Sequence, residues 1–307
     1  MKKLRKIGKA LLAFFLLNSV AFATNYPIPP SNEALIGNVK YQSSTSGENV
    51  ITVAKKYDLG FNALESSNPH LNMGRGFPTG SFVQLPTQHL LPDLGRRGII
   101  INLPEMRMYY FPAGSNRVYT YPIGIGKIGK TIPIARTSIT HKTKNPTWVP
   151  PEDIREFNLQ QGVVLPSVMP PGPDNPLGPY AIYMRIPTYL IHSTIFPESI
   201  GRRASFGCIR MYENDIEAFF PTINSSIPVV IINSPIKVAW QNNRLYMEAH
   251  RPLQEHGTSF DTSSQGIVHI IDNSSKNQVT LVDWQLVSYL AKERDGMPHD
   301  IGFKVSQ

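Results

Sequence analysis

The densest chemistry in the 307 residues lies in one heptapeptide, Ser205-Phe206-Gly207-Cys208-Ile209-Arg210-Met211, which holds the only cysteine. A lone cysteine cannot close an internal disulfide, so it is a small buried hydrophobe, a partner for another chain, or a free reactive thiol. A thiol is only slightly ionised near neutral pH, and a catalytic one needs a base or a cation beside it. Of the eight histidines, His192 is the best placed: it ends the apolar run Tyr189-Leu190-Ile191 sixteen residues before Cys208, with Ser193-Thr194 after it, and a strand end opening into a loop lets a side chain reach a reacting group. Gly207 permits close backbone approach, so the Gly207 and Cys208 N–H groups are candidate oxyanion donors. Arg210 sets a fixed cation two residues past the thiol, suited to a substrate carboxylate or to a structural pair. The histidines show no metal-ligand spacing such as H-x-x-x-H, and the reading calls for no metal and no cofactor.

Met1 to Ala23 has the form of a secretory signal peptide: five bases, an apolar run from Ala10 to Val20, and Ala21-Phe22-Ala23 at the cut. The run is short for a bilayer span, so cleavage after Ala23 is expected, giving a mature chain that starts at Thr24. The formal charge of +8 then falls to +3, because the first 23 residues carry five bases and no acid. That mild balance, with no basic run interleaved with aromatics, does not call for nucleic acid.

The mature length allows more than one domain. Residues 24–38 read as an extended, Pro- and Asn-rich leader. Across 39–86 the order strand, helix, helix, strand is expected: Val50, Val53, Ala54 and Tyr57 form one helix face with Asn49 as N-cap, a second helix covers Asn62 to Ser67, and Ser81 to Leu85 alternates as a strand. Residues 87–97 read as a linker. From 98 to 234 the sequence is β-rich, with a hairpin over Ile99–Leu103 and Met106–Phe111, a strand over Arg117–Pro122, and prolines and glycines at the rhythm of a sandwich or barrel. Gly124 to Thr131 looks like a phosphate loop, but its spacing fails and Pro133 forbids the helix that should follow. Asn214 is expected to cap a helix through Phe220, followed by a strand over Ile227–Ile232. Residues 235–307 read as an accessory segment with a strand near Asn243–Ala249 and a helix near Val282–Arg294.

Two resemblances complete the reading. Residues 39–86 resemble the LysM module, on the turn before Glu48-Asn49-Val50, the Ala54-x-x-Tyr57 helix, Asn68-Pro69 and the strand ending at Leu85-Pro86; this implies binding to the glycan of peptidoglycan. His192 followed by Ser205-x-Gly207-Cys208-Ile209-Arg210-Met211, with Gly172-Pro173-Asp174-Asn175-Pro176-Leu177-Gly178 and Pro146-Thr147-Trp148 upstream, is similar to the YkuD family of L,D-transpeptidases, closest to the periplasmic branch that attaches outer-membrane lipoprotein to peptidoglycan. The resemblance implies a mainly β catalytic domain of YkuD type, Cys208 as nucleophile, His192 as its base, the Ser193 carbonyl orienting the imidazole, and Ser205, Phe206, Arg210 and Trp148 around the substrate. It implies tetrapeptide stems as donor, a lipoprotein, an outer-membrane protein or a second stem as amine acceptor, and acylation by carbapenems. An L,D-carboxypeptidase with water as acceptor and a non-catalytic wall-binding scaffold are the competing readings. Phe206, Ser193 and Ile195 depart from the residues most common in the family (often His, Gly and Asn); Ser193 has precedent in other branches, and Ile195 and Phe206 give the rim an apolar character.

Overall fold

The computed structural model describes residues 24–305 except 75, 131, 254, 256–262 and 276–279. The expected signal peptide and most of the polar 257–265 stretch lie outside the described residues.

The leader is more ordered than its composition suggests, supplying β1 (Asn25–Pro27) and β2 (Leu35–Gly37). The next unit has the expected order: β3 (Lys40–Ser43), α1 (Val50–Lys56), α2 (Phe61–Ser67) and β4 (Phe82–Leu85), with β3 antiparallel to β4. Asn49 does cap α1: its Oδ1 accepts from the Ile51 and Thr52 N–H groups, while Thr52 Oγ1 accepts from the Asn49 N–H, a reciprocal box that satisfies otherwise orphaned donors. The predicted apolar face (Val50, Val53, Ala54) packs on Leu59, Leu64, Val83 and Leu85 in a core of the unit's own. The supposed linker contains β5 (Gln88–Leu90), which pairs with β2. Leader and linker therefore clasp each other as a ribbon rather than trailing between domains.

Eight strands that follow in sequence join β1 in one sheet. They are drawn from β6 (Gly98–Asn102), β7 (Arg107–Phe111), β8 (Arg117–Pro122), β9 (Ile125–Gly126), β10 (Ala135–Lys144), β11 (Tyr180–Met184), β12 (Leu190–His192), β13 (Arg203–Ser205), β14 (Ile209–Arg210) and β15 (Pro228–Ile232). The order is β1-β8-β7-β6-β15-β10-β11-β12-β14, with β9 and β13 forming a separate parallel pair. Period-2 alternation sends Ile99, Ile101, Met108 and Tyr110 to one core and Ile100, Tyr109 and Phe111 to another. The first core collects side chains from both ends of the sheet, from β6 to β14, so the sheet curls around it. Two helices belong to this part. The first, α3 (Glu152–Gln160), buries no residue and lies in the excursion between β10 and β11; without an apolar face it gave no periodic signal. The second, α4 (Glu213–Phe219), begins at Tyr212 and lacks a side-chain cap, where Asn214 had been expected to provide one.

The C-terminal segment is a folded unit: β16 (Ile236–Gln241), β17 (Arg244–Ala249), α5 (Ser264–Ser275), β18 (Thr280–Val282), α6 (Trp284–Glu293) and β19 (Pro298–Lys304). Its sheet runs β16-β17-β19-β18 and shares a core with both helices. A buried charge cluster fastens it to the rest. The Lys237 ammonium lies 2.8 Å from Glu105 Oε2 and 2.8 Å from Glu248 Oε1, and donates to the Leu90 carbonyl at 2.7 Å. Glu248 in turn accepts from the Leu90 N–H at 2.6 Å and meets His250 Nε2 at 2.6 Å. Lys237 and Glu248 come from the C-terminal sheet, Glu105 from the β6–β7 turn and Leu90 from β5, so one ammonium joins three parts of the chain.

Taking one partner out of such a cluster strands the others in low dielectric. Lys237→Met should lower the unfolding free energy by about 3–5 kcal/mol in urea titration, with the C-terminal unit's signals melting first.

Candidate active site

The geometry of the site follows from two short parallel strands. β12 and β14 pair in the register Ile191↔Ile209 and His192↔Arg210. Aligned residues of parallel neighbours point to the same face and alternate along the strand. Ile191 and Ile209, both fully buried, go into the core. His192 and Arg210 therefore share the opposite face, and Cys208, two residues before Arg210, enters on that face as well. Sixteen residues of sequence separation collapse to neighbouring strands.

The turn carrying the thiol is held by Ser205. Its Oγ accepts from the Gly207 N–H at 3.1 Å and donates to the Cys208 carbonyl at 2.6 Å. Gly207 has φ +117, and a Cβ there would lie 2.6 Å from the Tyr189 ring and 3.1 Å from the Lys130 carbonyl, so only glycine fits. These bonds amend one expectation: the Gly207 N–H is committed to Ser205 and is not free to receive an oxyanion. Cys208 itself is half-buried, and its Sγ contacts the Thr188 carbonyl at 3.7 Å, not the imidazole. Thr188 presents that carbonyl from an Ile186–Tyr189 turn at φ +69, a position glycine usually takes. Pro187 marked the turn in the sequence, but nothing there linked it to the thiol.

His192 is 4% exposed and its Nδ1 has no regular hydrogen bond, although the Ser193 and Leu177 carbonyls lie against the ring. Burial, reinforced by the Arg210 guanidinium, pushes its pKa down to about 3. Burial likewise pushes the Cys208 thiol up, opposed by a Leu190 backbone hydrogen bond and by Arg210. Both groups are consequently neutral at rest. Arg210 is mostly buried, leaves its Nε without an acceptor, and lies with its guanidinium carbon 5.7 Å from the centroid of Phe196. An unspent buried donor facing this corner suits an anion.

Ser193 is wholly buried and serves the frame: its Oγ donates to the Leu177 carbonyl at 2.8 Å and accepts from the Tyr180 N–H at 3.3 Å. A Cβ on Gly178 would sit 2.3 Å from that hydroxyl, which ties the Gly172–Gly178 run to the strand bearing His192. In the same run Asn175 donates to the Pro146 and Pro170 carbonyls at 2.9 and 3.1 Å. Trp148 exchanges two backbone hydrogen bonds with Met169, 2.8 and 2.7 Å, at the base of the α3 excursion. It is a half-buried pillar of that excursion, and no contact joins it to the thiol among the described residues.

The Gly-rich run carries lysines toward this excursion. Lys127 Nζ lies 3.7 Å from the centroids of both Phe157 and Phe206, which meet edge to face at 5.2 Å, and Lys130 pairs with Asp153 at 2.5 Å. Phe206 is thus packed against α3 beside the turn that carries Cys208. Phe157 and the two lysines were invisible as site neighbours because nothing in the sequence brings α3 to that loop.

A second cluster, His89, Glu105 and Glu248, offers three donor atoms within 4.8 Å of one another. The Lys237 ammonium already sits between the two carboxylates.

The profile of the YkuD L,D-transpeptidase catalytic domain matches residues 96–231. Over 291 residues the chain is 37% identical to "Probable L,D-transpeptidase YcfS" of Escherichia coli K12, covering 92% of this chain and 89% of that protein. It is 35% identical to "Probable L,D-transpeptidase YbiS" of the same strain over 96% of this chain and 98% of that protein. The chain belongs to the YkuD family of L,D-transpeptidases. Among relatives of this L,D-transpeptidase, "Probable L,D-transpeptidase ErfK/SrfK" of Salmonella typhimurium LT2 is 34% identical, with 97% of this chain and 98% of that protein covered. Among solved structures, the Ldtfm–avibactam carbamoyl enzyme matches at a TM-score of 0.36 and 20% identity, over 47% of this chain and 51% of that one.

The depressed pKa of His192 makes it a stability sensor. Between pH 6.5 and about 3 the unfolded chain binds a proton that the folded chain refuses, so the contribution present above pH 6.5 is lost as pH falls through this window. Denaturant titrations at pH 7 and pH 5 should show the wild type losing about 1–2 kcal/mol more than His192→Gln across that step.

Proposed function

We propose that this L,D-transpeptidase works through a Cys208 thioester. The carrying observation is the β12–β14 register, which aligns His192 with Arg210, with Cys208 immediately before β14 and interacting electrostatically with Arg210. His192 takes the thiol proton, and the thiolate attacks the carbonyl at the L-centre of meso-diaminopimelate in a tetrapeptide stem. A C–S bond forms, the amide to the terminal D-Ala breaks, and the departing amine leaves with the proton held by His192. An acceptor amine then attacks the thioester, its proton passes through His192 back to sulfur, and the new amide leaves a free thiol.

The electrostatics favour a step of this type over a preformed ion pair. Arg210 stabilises thiolate and opposes imidazolium, while burial opposes both charges. The proton therefore moves when substrate excludes water and supplies its own dipoles, a general-base role worth roughly two to four decades in rate. With the Gly207 N–H spent on Ser205, the Cys208 amide is the remaining donor of the pair for the oxyanion. The unspent Arg210 donor supports a carboxylate on the substrate. No bound metal or cofactor enters any step.

The setting proposed for this chemistry is the periplasm, reached through cleavage of the signal peptide, with the βααβ unit of residues 39–86 holding the glycan as a LysM-like module. Among the described residues no helix is long and apolar enough to cross a membrane. The acceptor is an envelope-protein lysine or a second stem. Phe206, backed by Phe157 and Lys127, is the part of the rim proposed to choose it.

Mass spectrometry of muropeptides and wall-bound protein should show stem transfer with wild type and none with Cys208→Ala; identical profiles would overturn the reading. D-Ala release without an amine adduct would assign the enzyme to carboxypeptidation instead. A carbapenem should add to Cys208, and His192→Ala should slow that addition by about a hundredfold or more.

A further inference from the structure

The junction between the βααβ unit and the catalytic domain contains two carboxyls, Asp58 and Asp215, that the proposed chemistry does not use. Asp58 occupies the turn between α1 and α2 at φ +54. Asp215 lies in the first turn of α4, is 6% exposed, and adjoins Asp58. Asp58 Oδ1 and Asp215 Oδ2 are buried and find no donor from any third residue among the described residues. Burial first, and the Asp58 charge second, raise the Asp215 carboxyl well above the usual range. The nearby Arg107 is engaged with Glu105 and with Thr120 Oγ1. The two carboxyls hydrogen-bond to each other, Arg107 lowers the Asp215 carboxyl from a distance, and among the described residues neither acid forms a side-chain ion pair.

The group that does reach it is a backbone nitrogen. Thr24 N lies 3.1 Å from Asp58 Oδ2. Thr24 is held there by its carbonyl, which accepts from the Thr120 N–H at 2.9 Å, and by β1, which pairs with β8. In the full-length chain this nitrogen is a neutral amide. It is also the first atom of the mature chain if the signal peptide is cut where Ala21-Phe22-Ala23 directs. Hydrolysis of the Ala23–Thr24 bond by the export peptidase consumes one water and leaves a carboxylate on Ala23 and an ammonium on Thr24.

We infer that the Asp58–Asp215 pair is a binding site for the mature chain's own Thr24 α-ammonium, so that signal cleavage creates an interdomain ion pair absent from the precursor. The surrounding contacts say what the ion pair would hold. One residue past Asp58, the Leu59 carbonyl accepts from Tyr212 OH at 3.0 Å, and the Phe61 and Asn62 N–H groups donate to the Ile200 and Gly201 carbonyls at 3.0 and 3.1 Å. Gly60 and Gly201 approach so closely that a Cβ on the first would lie 2.8 Å from the Cα of the second. The segment from Ile200 leads directly into β13 and Ser205, and Asp215 follows Arg210 by five residues. The ammonium thus adds a charge-assisted bond to a junction whose other contacts are already made in the precursor, and it strengthens the hold of the module turn on the two pieces of chain that flank the thiol.

This inference rests on the export reading of residues 1–23 and not on the cysteine chemistry. The test begins with intact-mass analysis of protein recovered from the periplasm, which should start at Thr24. The mature chain is then compared with the same chain acetylated at its α-amino group. The acetylated form should melt roughly 5 °C lower, and Asp58→Asn should abolish the difference. As a second readout that requires no variant, the Thr24 amine should react with an amine-selective acylating reagent about tenfold more slowly in the folded chain than in the unfolded one. A different first residue, equal melting of free and acetylated chains, a difference that survives Asp58→Asn, or equal labelling rates would each overturn the inference. A chain that transfers stems while failing these tests keeps its thioester chemistry and loses the switch.

Discussion

Everything at the active site depends on the parallel pairing of β12 with β14. Each strand is two or three residues long, and neither would persist alone. They are kept by the core beneath them: Ile191 and Ile209 are fully buried, and slipping the register by one residue would turn both into solvent and carry His192 inward. Burial of two isoleucines thus fixes the relative height of a histidine and a cysteine that are sixteen residues apart. A parallel connection also needs a crossover. Here residues 193–208 make it, passing the 3-10 turn Pro197–Ser199 and β13, and it is along this crossover that the βααβ unit docks.

The site's electrostatics follow from the same burial. A surface histidine beside a surface thiol would share a proton freely, and the thiol would be open to any oxidant. Sinking both groups holds them neutral, while the Arg210 guanidinium opposes a charge on the imidazole and favours one on sulfur. The cost is a buried guanidinium with an unpaired Nε, whose desolvation is not offset by a hydrogen bond at that atom. Similar economy appears at the domain junctions, where Lys237 is shared by two carboxylates and the Asp58–Asp215 pair forms no side-chain ion pair among the described residues. The chain buries charge where its parts must meet in one arrangement.

What the sequence revealed divides along physical lines. The helix face of α1, its Asn49 cap and the alternating strands were legible because period and capping are local properties. His192 and Cys208 were picked out by residue type, yet only the pairing of β12 with β14 brings their strands side by side. The leader and linker strands were missed because three-residue strands carry too little alternation to register, and β2 and β5 exist through each other. The helix α3 was missed because it buries nothing. Gly207 was rightly singled out for its freedom of backbone and wrongly given an open N–H, since a serine two residues earlier competes for that donor by the shortest side-chain route available.

That competition bears on how Phe206 functions. Ser205 and Gly207 fix the backbone on either side of it, so its side chain has one direction open, toward Phe157 and Lys127. A histidine in its place could bond to water or substrate; a phenyl ring gains instead by packing edge to face and by holding a cation over its face, each worth about 0.5–1.5 kcal/mol. Phe206 therefore couples the turn that carries Cys208 to the α3 excursion through packing. The excursion also leaves Val149, Leu159, Val163 and Val164 exposed, so under the proposed thioester chemistry the apolar surface an acceptor chain would meet lies on α3 and its flanks, apart from the strand pair that carries His192 and Arg210.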